Sequence, residues 1–355
     1  MQRRPRLILS GRALASNYQR LSDLSTGSEC GASIKSDAYG LGIDFVAPIL
    51  WESDCRTFFV AYLHEGVALR AILPEAIIYV FHGISDSELE YFKEYSLRPV
   101  VNTMDDLQIC MSQHLQPAVH LDTGMHRLGL GEASWDLLEE FFPDLNASLL
   151  MSHLVCADDP EHPLNTIQLE RFSSLVSRFS KSVEKCSLAN TAGVLMSKSY
   201  HFDLVRPGIG LYGGSPDPLK MQGFEPVASW QAPVLQVQTI ASGESIGYGA
   251  SYVADDEVTL LTVAAGYADG YIRSLGNRAQ VSLDGFLLPV VGRVSMDLVT
   301  IDATLLAQAL RRPVVGDWVE LMGHSVTVDD LAIASNTISY ELLTGLGARL
   351  ERVIT

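Results

Sequence analysis

A few polar residues stand where an apolar run ends, and their types suggest chemistry. Lys35 follows Ala-Ser-Ile, Asp122-Thr-Gly-Met-His-Arg127 follows AVHL, His153 lies inside LLMSHL, Asn190-Thr191 follows CSLA, and Arg206-Pro-Gly208 follows FDLV. A lysine whose stem lies in apolar surroundings loses hydration of its ammonium, which lowers its pKa and leaves a nucleophilic amine. Such an amine is the usual anchor for a carbonyl cofactor. Taken singly, each residue has a plainer reading. Lys35 is equally a snorkelling lysine bridged to a carboxylate, His153 a packed histidine, and Arg206 a structural arginine on nearby carbonyls. The argument therefore turns on whether one frame brings them together.

The runs themselves supply a frame. Residues 32–35, 58–62, 77–81, 98–102, 118–122, 149–154, 186–190 and 202–207 are short and rich in strand formers. Between them lie helical candidates: LHEGVALRAIL, SELEYFKEY, TMDDLQICMSQHL and NTIQLERFSSLVSRFSKSVEK. In the last, Ile167, Phe172, Leu175 and Phe179 are expected to share one face. Strands alternating with helices predict parallel βα units. Eight of them in just over 200 residues predict a closed (β/α)8 barrel of the TIM type, with an open doubly wound sheet as runner-up. A barrel carries its active site at the C-terminal ends of the strands, where the polar residues named above stand.

The texture changes after about residue 225. ASWQAPVLQVQTI, VTLLTVAAGYADG, AQVSLDGFLLPVVGRVSMDLVTID and DWVELMG are strands with little helix between them. Asp284-Gly285 is a hairpin signal, and Thr327 opens a helix with acids in its first turn. Two domains follow, 1–225 the barrel and 226–355 a mainly-β domain, joined through the Gly- and Pro-rich GGSPDPLKMQGFEPV. Gly208-Ile-Gly210-Leu-Tyr-Gly213 fits the dinucleotide pattern G-x-G-x-x-G, yet GSPDP rather than a helix follows it. A phosphate cradle on the last barrel strand explains these glycines better than a nucleotide site.

Composition narrows the partners. A formal charge of -17 disfavours nucleic acid and anionic membrane surfaces. No apolar run reaches the roughly 18 residues of a membrane span, and the LIL run near the start is too short for a signal peptide. Five scattered cysteines form no CxxC pair, so a disulfide framework or zinc knuckle is not expected. The cytoplasm is the expected compartment.

IKSDAYGLG resembles the cofactor-lysine signature of alanine racemases, and further matches follow in order: HLDTGMHRLG, MSHLVCADDP, SLANTAG, VRPGIGLYG, GYADGY, GRVSMD and TISYE. The resemblance implies pyridoxal 5'-phosphate held as a Schiff base on Lys35. It implies Tyr39, Asn190, Thr191, Gly208, Ile209 and Tyr340 around the phosphate, and Arg206 opposite the pyridine nitrogen. It places Arg127, Met296 and Asp297 at the carboxylate of an amino-acid substrate, and Asp158 and Arg293 at the entrance. Lys35 and Tyr267 become the two bases for the D- and L-enantiomers, with His153 assisting the phenol. It also implies a head-to-tail homodimer in which Tyr267 serves the neighbouring subunit. D-alanine for a cell wall and L-alanine for catabolism are both outlets of that reaction.

One departure stands out. Many members of that family have, two residues before the aspartate of DTGM, a lysine that becomes carbamylated and steers the arginine. Here that residue is His120, which forms no stable carbamate, so a bound anion, His120 itself or Asp122 must orient Arg127. Competing readings are a racemase of serine or of broad specificity, a barrel decarboxylase, and a cofactor-binding barrel without turnover. Arg206 and Tyr267 argue against the second, and the C-terminal domain against the third. A metal-dependent barrel hydrolase finds no ligand spacing.

Overall fold

The structure, a computed structural model, describes residues 4–179, 183–220 and 223–355. It divides into two compact units. Ala15–Leu211 forms one; Tyr212–Thr355, together with the residues before Ala15, forms the other.

The first unit is built on parallel strands. Ala32–Ser33, Thr57–Val60, Ile77–Val80, Arg98–Val101, Ala118–His120, Ala147–Met151 and Val183–Ser187 pair in sequence order. An eighth strand, Leu204–Val205, pairs with Glu29–Cys30 just ahead of the first. Backbone bonds complete the ring: Ser33 N–H donates to Pro207 O at 2.8 Å, Gly31 N–H to Val205 O at 2.9 Å, and Arg206 N–H to Ala189 O at 2.9 Å. The predicted barrel is therefore observed, and the doubly wound alternative falls. Phe59, Tyr79, Val100, Ala118, Leu149, Met151 and Leu204 fill its interior. Closure removes both sheet edges, which is why strands of two to five residues suffice.

The helices cover the outside, with two differences from expectation. The stretch read as one helix to Lys185 is a helix only over Pro163–Phe179; Val183–Ser187 is a strand, and 180–182 lie outside the described residues. Its buried face carries Phe172, Leu175 and Phe179 as expected, but Ile167 is exposed and Gln168 is buried instead. Gln168 holds two loops to the helix at once. Its amide donates to Thr123 Oγ1 at 3.1 Å and His153 O at 2.9 Å, and its oxygen accepts from Val155 N at 2.9 Å. Those bonds satisfy a buried amide that an apolar residue could not replace.

The second unit is mainly β. Ala228–Ile240 pairs antiparallel with Val258–Val263 and Trp318–Met322. Gln280–Leu283 and Phe286–Pro289 form the expected hairpin, with Asp284 and Gly285 at φ 51° and 83°. Two consecutive positive φ values are what a type I′ turn needs. Thr327 caps the helix Val328–Ser335, reciprocally with Asp330. The first strand of the chain, Arg6–Leu9, lies in this sheet between Ala228–Ile240 and Glu351–Ile354. No helix among the described residues is long and apolar enough to cross a membrane.

Candidate active site

In the barrel unit, Lys35 begins a turn of unusual hand. Ser36, Asp37, Ala38 and Tyr39 have φ between 52° and 57°, one turn of left-handed helix made without glycine. L-residues resist this conformation at about 1–2 kcal/mol each, so the surroundings must hold it. Glu65 accepts from Ser36 N at 2.6 Å and from Ala61 N at 2.7 Å. Asp37 accepts from Ile43 N at 2.8 Å, and Gly40 N–H closes the turn on Ser36 O at 2.9 Å. The result presents the Lys35 amine 5.7 Å from the centre of the Phe81 ring. Desolvation first, then the charge of Arg127, lowers its pKa, opposed by Glu65. The amine therefore has the character the sequence suggested.

The same turn aims Tyr39 inward. Its side chain is buried, and a Cβ on Gly208 would collide with its hydroxyl. Burial raises the Tyr39 pKa, opposed by a hydrogen bond from Ser33. Beside it, Thr191 Oγ1 accepts from Gly208 N at 2.9 Å and Gly210 N at 3.4 Å, which leaves its own hydrogen to donate outward. Asn190 accepts from Gly193 N at 3.0 Å and so caps the short helix Thr191–Met196. After Gly208 the chain makes a 3-10 turn, Ile209–Tyr212, and not the helix of a dinucleotide fold. A phenol and a hydroxyl whose hydrogen points outward, set against side-chain-free glycine backbone at one strand end, form a cradle suited to a phosphate ester.

Arg206 is buried, and its guanidinium bonds the Ser187 hydroxyl, Ser152 O at 2.6 Å and Leu188 O at 3.4 Å. It lies 5.9 Å from the centre of the Phe59 ring. Burial pulls its pKa down to about 9, which still leaves it charged at neutral pH. The plain reading of Arg206 as a carbonyl-bound arginine thus holds, together with its place at the barrel mouth. His153 is half-buried. Its pKa is held well below the usual range by burial, then by Arg206 and Arg127. His120 is buried and pushed down to about 4 by desolvation, then by Arg206. Three cations and two neutral imidazoles gather in a chain of charge -17, a local field that favours a bound anion. Lys35, Tyr39, His153, Asn190, Thr191, Arg206, Gly208 and Ile209 thus all stand at one end of this barrel.

In the second unit, Tyr267 opens the turn Tyr267–Asp269, and its backbone N–H donates to Ser295 O at 3.0 Å. A Cβ on Gly266 would collide with Met296 O. Tyr267, Met296 and Asp297 therefore share one rim. Arg349 ties Asp297 at 2.7 Å and the buried Asp269 at 2.9 Å. Tyr267 and Met296 are 42% and 53% exposed, large for residues of their type. Tyr340 is half-buried on the helix Ser339–Thr344.

Sequence reading missed Asn102, whose Oδ1 lies 2.9 Å from His120 Nδ1, and Glu65, Ser187 and Gln168. Asn102 was findable, because it ends the fourth apolar run. Glu65, Ser187 and Gln168 carry no signal short of the folded backbone.

The residues present fit pyridoxal phosphate: a dehydrated amine for its aldehyde, a cradle for its phosphate, and a buried cation in the same barrel. A parallel barrel with such a rim, followed by a mainly-β unit, is the architecture of a pyridoxal-phosphate-dependent racemase. Residues 9–216 match the family "Alanine racemase, N-terminal domain" and 227–354 match "Alanine racemase, C-terminal domain". The chain belongs to the alanine racemase family. Relatives include an alanine racemase of Methylobacterium nodulans, 40% identical over 98% of this chain and 95% of its own. One of Rhizobium meliloti is 41% identical over 98% and 96%. Among solved structures, the alanine racemase of Bartonella henselae with covalently bound pyridoxal phosphate superposes with a TM-score of 0.92 at 33% identity, covering 99% of each chain. The biosynthetic alanine racemase of Pseudomonas aeruginosa gives 0.93 at 33%, covering 100% of each.

Proposed function

We propose that this chain is a pyridoxal-phosphate-dependent isomerase that interconverts L-alanine and D-alanine. The observation that carries the reading is the depressed Lys35 amine standing among cations in the barrel unit that also holds the anion cradle. Lys35 holds the cofactor, and Tyr39, Asn190, Thr191, Gly208, Ile209 and Tyr340 hold its phosphate. Bound there, the cofactor's conjugated ring supplies the electron sink that lets Cα release its proton. Arg206, charged at neutral pH, would keep a proton off the pyridine nitrogen and so moderate that sink. Arg127 takes the substrate carboxylate, with Met296 and Asp297 beside it.

Inversion needs a proton removed on one face and returned on the other. Lys35 Nζ serves the D-face and Tyr267 Oη the L-face. A phenol has an ordinary pKa of about 10, and neutral His153 bonds it to lower the cost of ionisation. The protein acts as a head-to-tail homodimer in the cytoplasm. The exposed rim of Tyr267 and Met296, with Asp297 pinned by Arg349, supports a site completed by a partner subunit. The free cysteines support a reducing compartment.

The purified protein should show a visible absorption band that borohydride removes, and Lys35→Ala should abolish it. Mixing the inactive Lys35→Ala and Tyr267→Phe chains tests the shared site. Random exchange in a twofold dimer should restore about a quarter of wild-type sites. No recovery after verified exchange would overturn the cross-subunit role of Tyr267.

A further inference from the structure

The Tyr267 phenol is placed through its backbone alone. The side chain is 42% exposed and makes no hydrogen bond among the described residues. Where it stands is therefore decided by the turn Tyr267–Asp269 from which it projects. That turn closes on itself through Asp269, whose Oδ2 accepts from Gly266 N at 2.9 Å.

Two segments of the same unit grip the turn. Residues 295–296 do so through carbonyls: Tyr267 N–H donates to Ser295 O and Ala268 N–H to Met296 O, each at 3.0 Å. Residues 345–347 do so through close backbone approach. Gly347 N–H donates to Asp269 O at 2.9 Å, and a Cβ on Gly347 would stand 3.1 Å from Ala268 O. Gly270, at φ 106°, lies so near that a Cβ would stand 2.6 Å from Gly345 O.

Arg349 joins the two grips. Its Nε donates to Asp269 Oδ1 at 2.9 Å, inside the turn, and its Nη1 to Asp297 Oδ1 at 2.7 Å, one residue beyond Met296. Asp269 is buried, and Arg349 is the one cation paired with it among the described residues. Both bonds leave one planar guanidinium, so covalent geometry sets how the two carboxylates stand to each other.

We propose that Arg349 is a positioning residue for the second base: by bonding Asp269 in the turn and Asp297 beside the segment on which the turn hangs, one guanidinium fixes where the Tyr267 phenol stands. The inference deepens the two-base reading and rests on Tyr267 acting at the L-face. A lysine in this place is a single point charge on a flexible stem and cannot hold both carboxylates in register. An uncharged side chain leaves Asp269 buried without its cation.

Full-length holoenzymes carrying Arg349→Lys or Arg349→Gln test this with Cα-deuterated L- and D-alanine. In both, kcat should fall roughly 10–100-fold, what about 1 Å of misplacement of a reacting group costs, with a smaller change in KM. Slower transfer at the Tyr267 face makes that step limiting. The deuterium effect on kcat/KM should then rise from L-alanine and shrink from D-alanine. A mere loss of folded or cofactor-loaded protein lowers both rates and moves neither effect. Hydrogen exchange of the same proteins, read by mass spectrometry, should quicken over residues 266–271 and stay unchanged over the barrel strands Thr57–Val60 and Ile77–Val80. Where Arg349→Gln does not fold, Arg349→Lys, which keeps Asp269 paired, carries the test. Isotope effects equal to those of the wild type, or unchanged exchange over 266–271, would overturn the proposal. Tyr267→Phe in the same assay tests the reading beneath it. An unchanged kcat there would remove Tyr267 as a base, while quicker exchange in the Arg349 variants would still establish the clamp.

Discussion

Replacing Ser36 by glycine should make the barrel more stable. Ser36 is exposed, its side chain makes no hydrogen bond among the described residues, and its φ is 57°. Glycine removes the left-handed penalty of about 1–2 kcal/mol and returns about 0.4–1 kcal/mol through greater freedom of the unfolded chain. The net gain is about 1 kcal/mol. For a unit of this size that corresponds to a rise in Tm of about 2–4 °C, read by scanning calorimetry on the holoenzyme. Racemisation should fall in the same variant, because the turn that fixes the Lys35 stem has become easier to leave. An unchanged or lower Tm would refute the view that this turn is strained and held from outside. Asp37 and Ala38 are poor choices for the same experiment, since one bonds Ile43 N and the other is buried.

Thr191→Ala removes a hydroxyl that accepts from two glycine amides, and should weaken cofactor binding about tenfold, measured by titration of apoenzyme with the aldehyde. Arg206→Met strands the Ser152 carbonyl, and should destabilise the barrel by about 1–3 kcal/mol in urea unfolding. His120 links stability to acidity. Its pKa is about 4 folded against 6.5 unfolded, so its full contribution is present above pH 6.5 and is lost as pH falls toward 4, about 3 kcal/mol in all. His120→Gln should flatten that slope in unfolding measured across the same range.

Much of the barrel is legible in the sequence because each strand is a short apolar run that ends in a polar residue. Lys35, Arg206 and the Asn190-Thr191 pair could be found by asking which side chains stand at strand ends. The Asp284-Gly285 hairpin and the Thr327 cap are local devices and are read locally. Three features resist such reading, and each depends on distant contacts. The left-handed turn contains no glycine, and only Glu65 and Asp37 reveal what holds it. Gln168 sits on an apolar helical face because two loops converge there. The periodic stretch does not stay helical to Lys185, because Val183–Ser187 is claimed by the neighbouring strand Ala147–Met151.

The strand Arg6–Leu9 has a consequence for biogenesis. It lies parallel to Glu351–Ile354 and antiparallel to Ala228–Ile240, so a nascent chain holds it unpaired while the whole barrel is synthesised. The barrel strands from Ala32–Ser33 to Val183–Ser187 find partners within a few dozen residues and can assemble as they emerge from the ribosome, with closure onto Glu29–Cys30 following once Leu204–Val205 is made. The other sheet must wait until Glu351–Ile354 has been added. Any active site completed by a second copy would then mature only after that sheet has closed, later than the barrel.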